Sequence, residues 1–318
     1  MRQYLARRLL LLVPVLLLVS AVIFIMMRVL PGDAALVVLT SAGEKPTPEK
    51  LAEVRAEMGL DRPVFEQYLR WVGGLVRLDA GVSTLTGQPV TKEIAQRFPV
   101  TFELAMLGVL VSLLIAIPLG TLSALRQDSW MDYGLRVVAI GGIAMPTFWV
   151  GTLILLLLVR LFGWMPPLGF KGLFDDPGRN FQQLVWPAIV LGFNMAAIVT
   201  RMTRSQMLEV LRQDYVRTAW AKGLRERVVV YRHALKNALL PVVTLVGIQS
   251  AHLLGGTVII ETIFVVPGMG SYLVNAIAGR DYPVTQTVIV VFSLVTLLAN
   301  LGVDILYGWL DPRIRYAG

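Results

Sequence analysis

The chain has 318 residues, of which 56% are hydrophobic and 16% charged, and its mean hydropathy is +0.67. This composition is far more apolar than that of a soluble domain and predicts one membrane-embedded bundle. The 29 Lys and Arg residues exceed the 21 Asp and Glu residues, but they lie beside the ends of apolar runs, which favours control of membrane topology over nucleic-acid binding. With no cysteine, the chain excludes disulfides, thiolate catalysis and cysteine-ligated metals.

Six apolar runs are long enough to cross a hydrocarbon core of about 30 Å, which takes about 20 helical residues. We therefore expect an all-α polytopic membrane protein with six transmembrane helices. The first run follows Arg2, Arg7 and Arg8 but is too long for the apolar region of a signal peptide, so we expect it to be retained. The predicted crossings are residues 9–30, 101–125, 135–162, 184–200, 238–260 and 285–308.

The distribution of Lys and Arg predicts the orientation of these crossings, because cytoplasmic loops carry the excess of positive charge. The N-terminal tail is purely basic, and the connection 201–237 carries nine Lys and Arg against three acidic residues. Both are expected in the cytoplasm. An even number of crossings places the C terminus there too, with Arg313 and Arg315.

The segment between the first two crossings is predicted to form a small external helical region. A Glu-rich helical pattern ends at Gly59, and Trp71 lies among basic residues in a pattern that suits a membrane interface. The predicted parts are the N-terminal tail and first helix (1–30), the external region (31–100), a five-helix core (101–308) and a cytoplasmic tail (309–318).

A glycine-broken stretch, "DYVRTAWAKGL", lies inside the basic connection 201–237. Met207, Leu211 and Tyr215 before it recur at helical spacing. Gly223 can adopt the left-handed conformation that ends a helix, and Leu224 can supply the apolar contact that accompanies such an end. The pattern predicts a helix, a sharp elbow and a second helix.

The second helix is expected to begin near Glu226 and to be broken or kinked by Pro241, where the fifth crossing begins. Two roles for the elbow remain open on physical grounds. Ala219 and Ala221 keep it thin enough for another protein to approach closely, with basic residues around it. An amphipathic basic helix lying on anionic lipid has the same composition.

Two polar or kinked places within the crossings are candidates for a translocation path. His252 lies deep in the fifth crossing beside Gln249 and Ser250, although a hydrogen-bonded packing histidine fits equally well. Met145-Pro146 is expected to kink the third crossing, which is common near permeation paths and also ordinary in membrane helices.

The elbow resembles the cytoplasmic "EAA" loop of ABC-importer permeases, with Ala219 and Gly223 at matching positions and Arg217 and Thr218 in place of Glu and Ala. The form "DYVRTAxAKGL…RHALKNALLPV" is typical of the branch that imports dipeptides, oligopeptides and related solutes. The similarity extends through "RVLPGD", "MGLDRPVFEQYLRWVGGL", "MPTFWVG", "TRSQMLEVLRQDY", "ETIFVVPGMG", "GRDYPVTQ" and "DPRIRY". The chain most resembles the first permease subunit of a dipeptide system.

This resemblance implies a type I importer permease fold in the bacterial inner membrane. It also implies a second, homologous permease, two ABC ATPase subunits, an external solute-binding protein and a peptide substrate. The loop is expected to be the coupling helix that docks on an ATPase, through Tyr215, Arg217, Ala219, Lys222, Gly223, Leu224 and Arg225. On the external side, the residues expected near a docked binding protein are Glu261, Arg280, Asp281 and Tyr282.

No cofactor, metal or catalytic residue is expected in this chain. It lacks G-x-x-x-x-G-K-[ST], so ATP and Mg²⁺ are expected on the partner ATPases. Nickel or glutathione import within the same family remains an alternative substrate assignment. An ion-coupled secondary transporter is less well supported, because its midplane carboxylates and internal repeats are missing.

Overall fold

In a computed structural model, the described residues are 2–29, 33–41, 43, 45–167 and 169–310, and this part of the chain is helical without a named strand. The all-α expectation is therefore confirmed. The helices are α1 (Arg2–Val29), α2 (Ala34–Ser41), α3 (Pro48–Glu57), α4 (Val64–Val76), α5 (Val90–Leu125), α6 (Trp130–Ala144), α7 (Thr147–Phe162), α8 (Pro177–Leu211), α9 (Asp214–Ala221), a π-helix (Val228–Leu235), α10 (Lys236–Ile263), α11 (Met269–Ala278) and α12 (Tyr282–Leu310). The predicted C-terminal motif, residues 311–316, lies outside the described residues.

Five helical stretches of the described chain are long and apolar enough to cross a membrane, and a bent pair brings the number to six if it forms one span. Several helices exceed the predicted limits because polar ends continue the helix beyond the apolar run. The second predicted crossing begins eleven residues early, at Val90, and the fourth extends over Pro177–Leu211. Composition identifies the part within lipid, whereas backbone hydrogen bonding sets the helix ends.

The third predicted crossing is broken and not merely kinked. Helices α6 and α7 meet at an angle of 105° around Met145 and Pro146. Met145 is extended, with φ −86° and ψ 126°, as expected of a residue before proline. Pro146 then caps the start of α7 at φ −58°. The bend therefore falls where the sequence predicted a kink, but it separates two helices.

Pro241 does not break the helix that contains it. It lies inside α10, and the preceding turns from Val228 to Leu235 are π-helical. Proline removes one backbone donor, and helices of membrane proteins tolerate this loss when the freed groups are satisfied nearby. The second helix begins at Glu226, as the sequence predicts, but its π-helical form was not predicted.

The first compact unit combines residues 1–100 with 267–297. Its main core contains Val90, Met269, Val284 and Val288, all fully buried. A second cluster joins the C-terminal end of α1 to α2 and α12 through residues Met27, Ala34 and Tyr282. Residues of the predicted external region 31–100 therefore share a core with α11 and the start of α12, and the external position of this region stays a prediction.

The second compact unit comprises the described residues of 101–266 and 298–310 and is arranged around α8, which packs against α6, α7 and α10. Residues buried on α8 occur along most of its length. At Gly192 an added Cβ would lie 2.7 Å from the carbonyl oxygen of Gly108, so only glycine permits this approach of α5 to α8. This packing places the C-terminal end of α8 beside the glycine-broken connection.

Candidate functional site

The glycine-broken connection forms a short helix, α9, ended by a tight turn. Gly223 has φ +72°, in the left-handed region predicted for it. Its N–H donates to the carbonyl of Trp220 at 2.9 Å, and the N–H of Leu224 donates to that of Ala219 at 3.4 Å. This pair of bonds defines a Schellman motif. The predicted elbow is therefore confirmed and its geometry is fixed by backbone hydrogen bonds.

The helix before the elbow is not continuous with α8, although periodicity predicted one helix. α8 ends at Leu211, Arg212 caps it, and Gln213 adopts an extended conformation before α9. Met207, Leu211 and Tyr215 therefore do not form one buried face: Met207 is buried on α8, whereas Tyr215, beyond the break, is exposed.

The inner face of α9 is held by a small apolar cluster. Val216, Ala219 and Val229 are buried together, with Val210 and Leu211 packed against them. Ala219 therefore packs inward, against the start of the π-helix, and its side chain is only 6% exposed. Its predicted role at a protein contact does not fit this position. The small side chain instead brings α9 close to the π-helix.

The outer face of α9 combines aromatic and basic side chains. Tyr215 and Trp220 are 43% and 46% exposed, and Leu224 is 36% exposed. The basic residues predicted for the contact, Arg217, Lys222 and Arg225, are all exposed. Trp220 was not among the predicted contact residues. An aromatic residue placed next to inward-facing Ala219 in a polar helix is the sequence signal that could have identified it.

Tyr215 also ties the outer face to the following helix. The side-chain amide of Asn237, at the start of α10, donates to the Tyr215 hydroxyl at 3.0 Å and to the carbonyl of His233. The phenol is thus oriented by α10 while much of its ring remains exposed. This bond joins α9 to α10, while the apolar cluster joins α9 to α8 and to the π-helix.

A buried ion pair lies elsewhere in the same unit and joins α6 to α8. Arg204 donates through Nε and Nη2 to the two carboxylate oxygens of Asp132, at 2.8 and 2.7 Å. Ser123 and the backbone N–H of Asp128 also donate to this carboxylate, which is fully buried. Bidentate pairing of this kind is the strong form of an arginine–carboxylate contact. Sequence reasoning missed it because the partners are 72 residues apart.

The predicted translocation-path residues lie in two places in the second unit. Met145 and Pro146 lie at the α6–α7 break, and Gln249, Ser250 and His252 lie on α10. The Ser250 hydroxyl donates to the carbonyl of Val246, whereas His252 is exposed. No hydrogen bond among the described residues joins the two groups. Their role in translocation remains a prediction.

Three of the four residues predicted for binding-protein docking are buried. Glu261 accepts a hydrogen bond from Thr101 at 2.6 Å, and Asp281 accepts from Ser83 and from two backbone N–H groups. Tyr282 is 8% exposed. Direct contact with a docked protein does not fit these side chains, because internal polar groups already surround the two carboxylates. Arg280 is partly exposed at φ +54°, and its docking role remains a prediction.

Comparison with known proteins identifies the class of membrane protein. Residues 116–316 match the family described as "Binding-protein-dependent transport system inner membrane component", and residues 1–105 match the N-terminal model of such membrane components. The chain belongs to this family. It is a multi-pass inner-membrane component of a binding-protein-dependent transport system, as the ABC-permease resemblance predicted.

Individual relatives cover nearly the whole chain. The dipeptide transport system permease protein DppB of Alkalihalophilus pseudofirmus is 40% identical over 99% of this chain and 100% of its own length. The di/tripeptide transport system permease protein DppB of Pseudomonas aeruginosa is 41% identical over 99% of each. The glutathione transport system permease protein GsiC of Escherichia coli is 37% identical over 99% of this chain and 100% of its own length.

Proposed function

We propose that this chain is the peptide-conducting permease subunit of an ATP-driven importer with a type I fold and both termini in the cytoplasm. It pairs with a second, homologous permease, receives dipeptides or oligopeptides from an external solute-binding protein, and is driven by two ATPase subunits. The chain itself carries no catalytic residue, and ATP and Mg²⁺ bind to the ATPases. The relatives of similar length named for dipeptide and di/tripeptide transport support this substrate class.

The coupling part of the proposal rests on one observation: α9 has one face packed against the protein and one exposed face. Its inner face is fixed by Val216, Ala219 and Val229, while Trp220 and exposed basic residues form its outer face. A rigid, half-exposed helix transmits the displacement of a docked partner to the helices joined to it. Aromatic and arginine side chains are also enriched where protein contacts contribute most to affinity.

Trp220→Ala tests this docking surface in the reconstituted complex. We expect at least a tenfold loss of peptide-stimulated ATP hydrolysis and weaker co-purification of the ATPases, because a buried aromatic contact is lost. Phe174→Ala is the matched control, since Phe174 is 98% exposed and lies outside α9. Equal peptide-stimulated ATP hydrolysis by the two variants would show that α9 is not part of the coupling site.

Glutathione is a second candidate substrate, supported by the relative named for its transport. Uptake into proteoliposomes containing the wild-type complex and its binding protein separates the two candidates. Uptake of labelled dipeptide that unlabelled glutathione does not inhibit supports the peptide assignment. The opposite pattern would favour glutathione.

A further inference from the structure

A cavity of about 370 Å³ lies between α6 and α8, within the second unit, and the proposed coupling mechanism does not use it. Its lining consists of Arg136 and Ile140 on α6 and Arg201 and Arg204 on α8. Its volume is within the range of about 300–1,000 Å³ typical of small-molecule sites. Three guanidinium groups and no acidic side chain in this lining favour an anionic ligand.

The carboxylates near these arginines do not balance their charge. Asp132 is fully buried, accepts both bonds from Arg204, and lies 3.8 Å from Nε of Arg136. Asp128 also interacts electrostatically with Arg204, although it does not line the cavity. Among the described residues, no carboxylate forms an ion pair with Arg201. Three guanidinium groups against two carboxylates leave positive charge on the cavity wall.

The same guanidinium groups keep nitrogens that a ligand can reach. The side chains of Arg136 and Arg204 are 37% and 18% exposed, and Arg201 is exposed. Asp132 takes Nε and Nη2 of Arg204, which leaves Nη1 as its remaining donor nitrogen. Nε of Arg136 is buried, so only its two Nη atoms can contact a ligand. Each arginine therefore keeps at least one donor nitrogen for a bound anion.

The cavity lies where two apolar stretches of the chain meet charged residues. Arg201 is the first charged residue after the apolar stretch of α8, and Arg136 is the last one before the apolar stretch of α6 and α7. Trp130 and Tyr133, at the start of α6, are 92% and 48% exposed, and their rings pack edge to face with centroids 6.4 Å apart. Exposed aromatic rings in such a position are typical of the boundary between lipid and water. The three arginines are therefore at the level of the lipid head groups.

An exposed apolar surface continues from the arginines along α6. Val137 and Ile140 are 70% and 58% exposed, and Ile140 also lines the cavity. Ile140 lies one turn, about 6 Å, further along α6 than Arg136. The Arg136 guanidinium is positioned over the ring of Tyr133, 4.5 Å from its centroid. A ligand with an anionic group at the arginines and an apolar chain along α6 matches both parts of this surface.

We propose that this cavity binds the phosphate group of an anionic phospholipid, with the acyl chains along the exposed apolar surface of α6. The donors are the guanidinium of Arg201, the Nη atoms of Arg136 and Nη1 of Arg204. Basic pockets between transmembrane helices are suited to the head groups of anionic lipids. The bound phosphate joins α6 to α8 beside the Asp132–Arg204 pair. Lipid binding here requires only the membrane location of the chain and is independent of the solute that is carried.

Native mass spectrometry of the purified transporter complex in an uncharged detergent tests this site. The probes are dioleoyl phosphatidylglycerol and dioleoylglycerol, which has the same acyl chains but no phosphate. We expect phosphatidylglycerol to bind saturably and about tenfold more tightly than dioleoylglycerol. Inorganic phosphate should displace little of the bound lipid, because it makes no contact with the apolar surface of α6. Displacement of the lipid by an equal concentration of phosphate would identify a free anion as the ligand and overturn the lipid assignment.

The variant Arg136→Gln/Arg201→Gln removes two of the three guanidinium groups and keeps the Asp132–Arg204 pair. It should weaken phosphatidylglycerol binding by about tenfold and leave dioleoylglycerol binding unchanged. Arg126→Gln is the matched control, since Arg126 is exposed, lies in the turn between α5 and α6 and does not line the cavity. It should bind both lipids as the wild type does.

Three further results would overturn the proposal. The first is equal phosphatidylglycerol binding by the wild type and the double variant. The second is an equal loss in Arg126→Gln, which would indicate a general attraction of lipid to basic surface. The third is a loss of ATPase co-purification with unchanged lipid binding, which would assign these arginines to an acidic partner surface. If the double variant does not assemble, Arg201→Gln alone replaces it, with about fivefold weaker binding expected.

Discussion

Arg204 in the second unit and Arg28 in the first are both partly buried guanidinium groups, but their surroundings differ. Arg204 faces the carboxylate of Asp132 in a bidentate pair, whereas Arg28 is held by a neutral amide and an aromatic ring. A buried ion pair contributes to stability only while both partners are present. The comparison teaches that a guanidinium can be fixed in a folded chain either by a carboxylate that balances its charge, as at Arg204, or by neutral groups alone, as at Arg28.

The largest effect is expected from breaking the Asp132–Arg204 pair. Asp132→Ala leaves the Arg204 guanidinium without its carboxylate in a position where its side chain is 18% exposed. Removing one partner of a buried pair costs about 3–5 kcal/mol of folding free energy. We expect a much lower thermal midpoint and a low yield of assembled complex, measured by thermal denaturation of the purified protein.

The double variant Asp132→Ala/Arg204→Met separates the loss of the pair from the cost of an unpaired charge. Because no buried charge remains without a partner, it should recover part of the lost stability. A double variant less stable than Asp132→Ala would contradict this account of the pair.

A smaller loss is expected at the α9 turn of the same unit. Gly223→Ala forces a side chain into the left-handed region, at about 1–2 kcal/mol. Peptide-stimulated ATP hydrolysis should fall strongly, whereas the thermal midpoint should fall only slightly. The turn orients α9, but it buries little surface. Gly134→Ala, in an open position on α6, is the control and should lower neither quantity, because alanine favours a helix more than glycine does.

Replacing Arg28 should change stability less than replacing Asp132. Arg28→Met loses two bonds to Gln67, but methionine still covers Phe24 and the buried charge is removed. We expect a change within about 1 kcal/mol. Thermal denaturation of the complex measures it, and a loss as large as that of Asp132→Ala would show that Arg28 serves the fold.

The smallest effect concerns Tyr272 in the first unit and is confined to high pH. Burial raises the pKa of the Tyr272 phenol above its usual value of about 10, and the Glu93 carboxylate adds to the shift. The contribution to stability is complete below about pH 10 and is lost as the pH rises further, because the unfolded chain releases the proton first. Thermal midpoints between about pH 9 and 11 should decline more steeply for the wild type than for Tyr272→Phe.

Local chemistry made the elbow predictable. Gly223 followed by Leu224 is a helix-end signal that needs no distant partner, and the structure confirms it. The sequence could not indicate which alanine faces inward, because Ala219 is buried only by the return of the chain at Val229. The α6–α7 break was half predictable: a proline marks a place where a helix can bend, but Pro241 lies inside a continuous helix, so the sequence alone does not show which proline breaks one.

The buried polar groups were not predictable from their own neighbourhoods. Asp132 meets Arg204 across 72 residues, and Thr101 donates to Glu261 across 160. Glu261 follows an apolar run, which suggested an exposed external end. Only the tertiary arrangement shows that it lies inside. Trp71 stacks on Phe24, a contact that its own neighbourhood in the sequence did not indicate, and its position at a membrane interface stays a prediction.

The length of α8 has a mechanical consequence. Its 35 residues, at 1.5 Å each, extend about 52 Å, whereas the hydrocarbon core is about 30 Å thick. A large part of the helix therefore projects into water and acts as a lever arm. A tilt of about 5° around its midpoint would swing the end near Leu211 by about 2 Å, for a helix of this length. Small rotations of α8 within the membrane would therefore displace the adjoining helix α9 by a distance larger than the rotation causes near the midpoint of α8.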